Sequence, residues 1–186
     1  MSMFNKWAVL GLCSAAMAFG QATTKSPNLG RVLTDNEVKQ IDLTVAPDGA
    51  GLPEGSGSVA QGADVYAKKC QGCHGVNGAG KPQDQLTGGI GTLNSPKPVK
   101  TAVSYWPRAT TMFDYIRRAM PINNPQSLTN DEVYSIVAFL LSVDGVVPKD
   151  AVLNASNLAK VKMPNQDGFI SYWPPKKAAP RAAVKK

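Results

Sequence analysis

The chain has 186 residues, 43% of them hydrophobic, with 17 glycines, 14 prolines and a formal charge of +7. That length suits one domain with extensions on either side of a small core, and the glycine and proline content fits a loop-rich fold rather than a sheet-based one. Beyond the first 22 residues no apolar run reaches the roughly 18 residues of a membrane span, and the charge sits mostly in the last eleven residues.

Residues 1–22 read as an export leader. Lys6 supplies the positive n-region and Trp7 to Ala18 the apolar h-region. Ala16-Met17-Ala18 or Gly20-Gln21-Ala22 offers a small-residue cleavage site. A leader kept as a short anchor is the alternative. Residues 23–57 form an N-terminal arm. Thr34-Asp35-Asn36-Glu37 is a capping box that predicts a short helix to about Gln40. Ile41 to Val45 alternates apolar and polar residues as an extended segment would. Ala46-Pro47-Asp48-Gly49 is a turn, and Gly51 to Ser58 a Gly/Pro/Ser linker.

The spacing of Ala60, Ala63 and Tyr66 predicts a helix over 59–69, with Gly62 and Tyr66 one turn apart on a face where another helix can cross closely. Tyr134 and Phe139 are the expected partners of that face. The helix leads into Cys70-Gln71-Gly72-Cys73-His74, the spacing of a c-type haem attachment site. Two thiols must reach two vinyl groups of one porphyrin, and the next residue must bring its imidazole to the iron from the same side. A turn of helix through the motif does this. Cys13 lies in the leader, so the mature chain holds only this cysteine pair, and His74 is its only histidine. A redox disulfide would want a βαβ pattern that is not visible here, and a closed zinc site would want a fourth ligand.

After His74, Gly75, Gly78 and Gly80 supply the backbone angles of a loop passing tightly round a haem edge. Leu86 to Leu93 continues as irregular chain. Tyr105 and Trp106 are candidates to hydrogen-bond a haem propionate, and core packing accounts for them equally well. A helix follows over 111–119, with Phe113 and Ile116 inward and Arg117 and Arg118 partly outward. Thr129 and Glu132 form a second capping box, opening a helix to about Ser142. Residues 144–175 read as a largely irregular C-terminal wrap with a short turn about Ala155–Lys160, and 176–186 as a basic disordered tail holding Lys176, Lys177, Arg181, Lys185 and Lys186 with no acid among them. An exported haem protein has no call for nucleic acid, so the tail reads as solvated or as a weak tether to an acidic partner.

With one histidine, the iron's second axial ligand cannot be an imidazole from the same chain. A thioether is the natural choice, and Met/His ligation raises the reduction potential. Met112 sits within a helix pattern and reads as core. Met120 stands at the start of a loop, its backbone fixed by Pro121, and is the expected ligand. Met163 and an open or water-bound iron are the alternatives.

The small-residue/aromatic helix, CxxCH, glycine-rich loop, Met-Pro and closing Val-Ala-Phe-Leu helix together resemble a class I cytochrome c over about residues 57–142. The segments 51–58, 91–93, 98–101, 104–107, 113–121 and 163–165 narrow this. They resemble the haem domain of sulfur-oxidation cytochromes: the subunits of molybdenum sulfite dehydrogenases and the first haem domain of the sulfane dehydrogenase cytochrome of the Sox system. The resemblance implies an all-α, class I cytochrome c fold, a small helical bundle around one covalently bound haem c, with irregular N- and C-terminal extensions. It places the cytochrome domain at 58–143, with Cys70, Cys73, His74, Met120, Tyr105 and Trp106 as the haem-binding residues and His74 and Met120 on the iron. Pro82 is the candidate whose carbonyl would accept the His74 Nδ1–H. The implied function is a periplasmic, bacterial electron carrier rather than an enzyme. Single electrons would arrive from a molybdenum sulfite or sulfane dehydrogenase and leave to a downstream cytochrome or terminal oxidase. The rival readings are an open-site, peroxidase-like haem enzyme, an acceptor for an unrelated dehydrogenase, and a subunit clamped into a larger complex by its arm and wrap.

Overall fold

A computed structural model describes residues 29–170 of the chain. The leader expected at 1–22 and the basic tail at 176–186 lie outside the described residues. The chain divides into two compact units, one up to Val38 and one from Lys39 onward. Thr34, in the first, caps the helix α1 (Asp35–Ile41), whose last residues belong to the second: Glu37 N–H donates to Thr34 Oγ1 at 3.3 Å, and Glu37 returns the contact to Thr34 N–H at 2.9 Å. Arg31 pairs with the same Glu37 carboxylate.

The second unit is built round α5 (Asn130–Val143). Nine of its fourteen residues are buried, among them Val133, Ile136, Val137, Leu140 and Leu141. A helix apolar on nearly all sides must be covered on nearly all sides. Three other segments do so. The helix α2 (Val59–Lys69) crosses it at Gly62, where an added Cβ would collide with the Ser135 carbonyl and lie 2.7 Å from Phe139 Cβ. Tyr66, one turn on, packs on Phe139 with ring centroids 5.1 Å apart. The helix α4 (Ala109–Ala119) contributes Phe113, whose ring centroid is 4.4 Å from that of Tyr134. The third is a two-stranded antiparallel pair, β1 (Ser56–Ser58) with β2 (Val152–Asn154), in register Gly57 opposite Leu153.

Polar contacts fix the two ends of α5. At its start Thr129 and Glu132 form the expected capping box. Glu132 also pairs with Lys69 of α2 at 2.6 Å. Burial pulls the Glu132 carboxyl up, but Lys69 and the Thr129 amide hold it below its ordinary value. Asp131 accepts from Ser56 N–H at 2.7 Å, and Tyr134 Oη–H donates to the Pro53 carbonyl at 2.8 Å, so the helix start grips the strand-bearing segment. At its end Asp144 accepts from Gly88 N–H at 2.6 Å and fixes the irregular 86–93 chain.

Several expectations are corrected. Ser135, not Tyr134, meets Gly62 beside Phe139; Tyr134 points to Phe113 and Pro53. Residues 42–45 form no strand, and Ile41 closes α1 instead. The 51–58 linker carries β1 and the wrap carries β2, whereas the short turn expected about 155–160 is there as a 3₁₀ turn, Leu158–Lys160. The helix α4 starts at Ala109, two residues before the expected Thr111.

Candidate functional site

The α2 helix ends at Cys70, and a single further turn, α3 (Gln71–His74), carries the rest of the motif. His74 N–H and Cys73 N–H both donate to the Cys70 carbonyl, at 3.0 and 3.1 Å, so the turn stacks the three side chains within one revolution. The chain then leaves sharply. Gly75 has φ +71°, and a Cβ there would strike the Gly80 carbonyl. Gly80 N–H closes the loop on the His74 carbonyl at 2.7 Å, and Tyr66 Oη–H donates to the Gly75 carbonyl at 3.0 Å.

His74 Nδ1 lies 2.8 Å from the Asp84 carbonyl oxygen. A carbonyl only accepts, so Nδ1 carries the proton and Nε2 keeps its lone pair. Pro82 does not take this role: the accepting carbonyl belongs to Asp84, two residues further along. The Gln83 N–H to Cys73 carbonyl contact, 2.8 Å, brings that segment back to the motif.

Cys70, Cys73, His74, Tyr105, Trp106 and Met120 all line one cavity of about 860 Å³, inside the range of roughly 300–1,000 Å³ usual for cofactor pockets. Both cysteines are free thiols, Cys70 half-buried and Cys73 exposed. Burial pushes the Cys70 thiol up to about 11. Leu86, Ile116, Leu128 and Leu140 supply apolar walls. Two free thiols, an imidazole nitrogen with an open lone pair, a thioether and apolar walls round one cavity are the donor set that a covalently held haem requires, and the residues present fit that group.

Tyr105 and Trp106 sit on a wall braced from behind. Thr101 N–H donates to Ser104 Oγ at 2.9 Å, and Ser104 N–H returns to Thr101 Oγ1 at 3.0 Å. Thr101 Oγ1–H also reaches the Gly88 carbonyl at 2.9 Å. Trp106 meets Tyr115 edge to face, centroids 5.4 Å apart, and Lys100 Nζ stands 5.1 Å over the Tyr105 ring.

The methionines divide. Met120 is half-buried at the end of α4, with extended backbone (φ −115°, ψ 147°), and borders the cavity. Met163 is 2% exposed within the core and is not among the cavity's lining residues, so it loses its place as alternative ligand. Met112 is fully buried as expected, yet it also borders the cavity, which helix periodicity alone does not reveal. The Asp84 carbonyl and the Lys100 ammonium likewise carry no local sequence signal that points to the site.

Against known proteins, the family model for cytochrome c matches residues 59–144. A chain in the crystal structure of the sulfane dehydrogenase SoxCD from Paracoccus pantotrophus is 43% identical, with a TM-score of 0.74, over 78% of this chain and 72% of that one. The thiosulfate dehydrogenase of Stutzerimonas stutzeri (strain A1501) is 27% identical over 114 residues, 60% of this chain. The match spans 35% of that protein's length.

Proposed function

The chain belongs to the cytochrome c family, whose members carry covalently bound haem c, and from that premise we propose that it is an exported, periplasmic carrier of single electrons in sulfur-compound oxidation. Cys70 and Cys73 would hold the haem by thioether bonds, His74 and Met120 would ligate its iron, and Tyr105 and Trp106 would hydrogen-bond its propionates. When bound, the haem supplies one-electron exchange between Fe(III) and Fe(II). His74 presents Nε2 because Asp84 fixes its proton on Nδ1. Met120 brings a soft thioether that favours the reduced state. The braced wall at 101–106 and the apolar lining keep water out.

The observation that carries this reading is the convergence of the motif residues and Met120 on one cavity. With His74 and Met120 both on the iron, no site for a substrate would remain, and the chemistry left would be outer-sphere, one-electron transfer. The donor is a molybdenum-containing sulfite or sulfane dehydrogenase, and the acceptor a downstream cytochrome or terminal oxidase. Similarity to a chain of a sulfane dehydrogenase and to part of a thiosulfate dehydrogenase supports that choice.

The test is stopped-flow reduction of the oxidised haem protein by such a dehydrogenase. Mixed with catalytic dehydrogenase and excess sulfite or thiosulfate, the protein becomes fully reduced, whereas substrate without enzyme reduces it far more slowly. No acceleration with any sulfite, sulfane or thiosulfate dehydrogenase would remove the proposed donor.

A further inference from the structure

The stretch after α5 runs past the 59–144 span of the family match, so a cytochrome c domain does not by itself demand it. Its last described turn nevertheless reaches the cavity wall. Asn165 Nδ2–H donates to the Tyr105 carbonyl at 2.7 Å. The Phe169 ring lies 5.3 Å from that of Tyr105, centroid to centroid. Two residues before Asn165, Met163 is sunk in the core, and Gln166 N–H donates to its carbonyl at 3.1 Å, so the turn is anchored where it starts.

Gly168 makes room for this contact. A Cβ at 168 would fall on Asn165 Oδ1, so the missing side chain lets the amide lie flat toward Tyr105. The Thr101–Ser104 contacts secure the near half of the wall. They do not reach the Tyr105 carbonyl, whose partner is Asn165.

We infer that Asn165 is a positioning residue: with Phe169 it latches the Tyr105–Trp106 wall over the haem cavity and keeps competing ligands away from the iron. The inference rests on the proposed ligation by His74 and Met120. The latch acts on the ease with which the wall opens, not on any bond to the iron. Removing one hydrogen bond between neutral groups shifts such an opening equilibrium by about fivefold.

The experiment uses the full haem-loaded chain, oxidised, with imidazole as the probe. Three variants break the latch differently. Asn165→Ala deletes the donor, and Asn165→Asp keeps the shape but sets an oxygen against the carbonyl. Gly168→Ala keeps Asn165 and pushes its amide aside. The measurements are imidazole affinity, followed by loss of the weak far-red absorption band of the methionine–iron bond, and the reduction potential. Asn165→Ala and Gly168→Ala should bind imidazole about fivefold more tightly than the parent, Asn165→Asp more tightly still, and all three should show a lower potential, with the band intact before imidazole is added.

A wrap that only added stability would lower the unfolding temperature and leave both readings at the parent's values; that result overturns the latch alone. A parent protein with no far-red band overturns the ligand assignment, and this inference with it. Agreement of Gly168→Ala with the two Asn165 variants is the strongest support, because it moves the amide without deleting it.

Discussion

Replacing Met120 by alanine abolishes the far-red band of the oxidised protein, lets carbon monoxide bind the reduced iron, and lowers the reduction potential by on the order of 100 mV. Axial ligands set haem potentials over about 0.8 V, and a thioether stabilises the reduced iron relative to harder ligands, so its loss is felt mainly as a fall. The informative control is Met112→Leu. Both methionines border the cavity, but Met112 is fully enclosed among core side chains, whereas Met120 follows the last turn of α4 on extended backbone. A leucine at 112 conserves most of the volume and costs less than about 1.5 kcal/mol of stability. The band and the closed iron are retained in that variant. The reverse pattern, with the band surviving at 120 and lost at 112, would move the ligand one helix turn pair inward and undo the assignment.

Gly62→Val destabilises the fold by about 3 kcal/mol or more. The obstruction is backbone: an added Cβ meets the Ser135 carbonyl oxygen, with the carbonyl carbon at 2.6 Å and Phe139 Cβ at 2.7 Å. Neither α2 nor α5 can step aside cheaply, because Lys69–Glu132 and the Tyr66–Phe139 ring contact fix their spacing on the same side. Overpacking of this kind costs about 3 kcal/mol or more, a large share of the roughly 5–15 kcal/mol by which a domain is stable. Ala60→Ser, on the exposed side of α2, changes stability by less than about 0.5 kcal/mol. Denaturant unfolding of the haem-loaded proteins measures both, and a Gly62→Val protein as stable as its parent would show that the crossing is not close.

The parts of this molecule that could be read in the sequence are those whose cause is local. The CxxCH motif is a spacing within five residues. The capping box of Thr129 and Glu132 is a contact across three, and α5 begins where it predicts. The partner of Gly62 was harder for a physical reason: with nine of fourteen residues buried, α5 has no single apolar stripe, so periodicity could not choose between Tyr134 and Ser135. The β1–β2 pair joins segments far apart in sequence, and Ser-Gly-Ser has no strand character of its own. The Asp84 carbonyl is a backbone group that any residue would supply, so nothing in the residue type marks it as the His74 partner. Asn165 is legible only once the wrap's return to Tyr105 is known. Met120 could be proposed from the chain because Pro121 and the helix end isolate it. Met112 on the same cavity could not, since a fully buried helical methionine looks the same whether a cofactor or a leucine lies beside it.

Every other assignment depends on the proposed covalent attachment of one haem through Cys70 and Cys73. Acid–acetone extraction of the purified protein tests it directly. The pigment stays with the precipitated polypeptide if the thioether bonds exist. A colourless precipitate under a red supernatant would contradict the account.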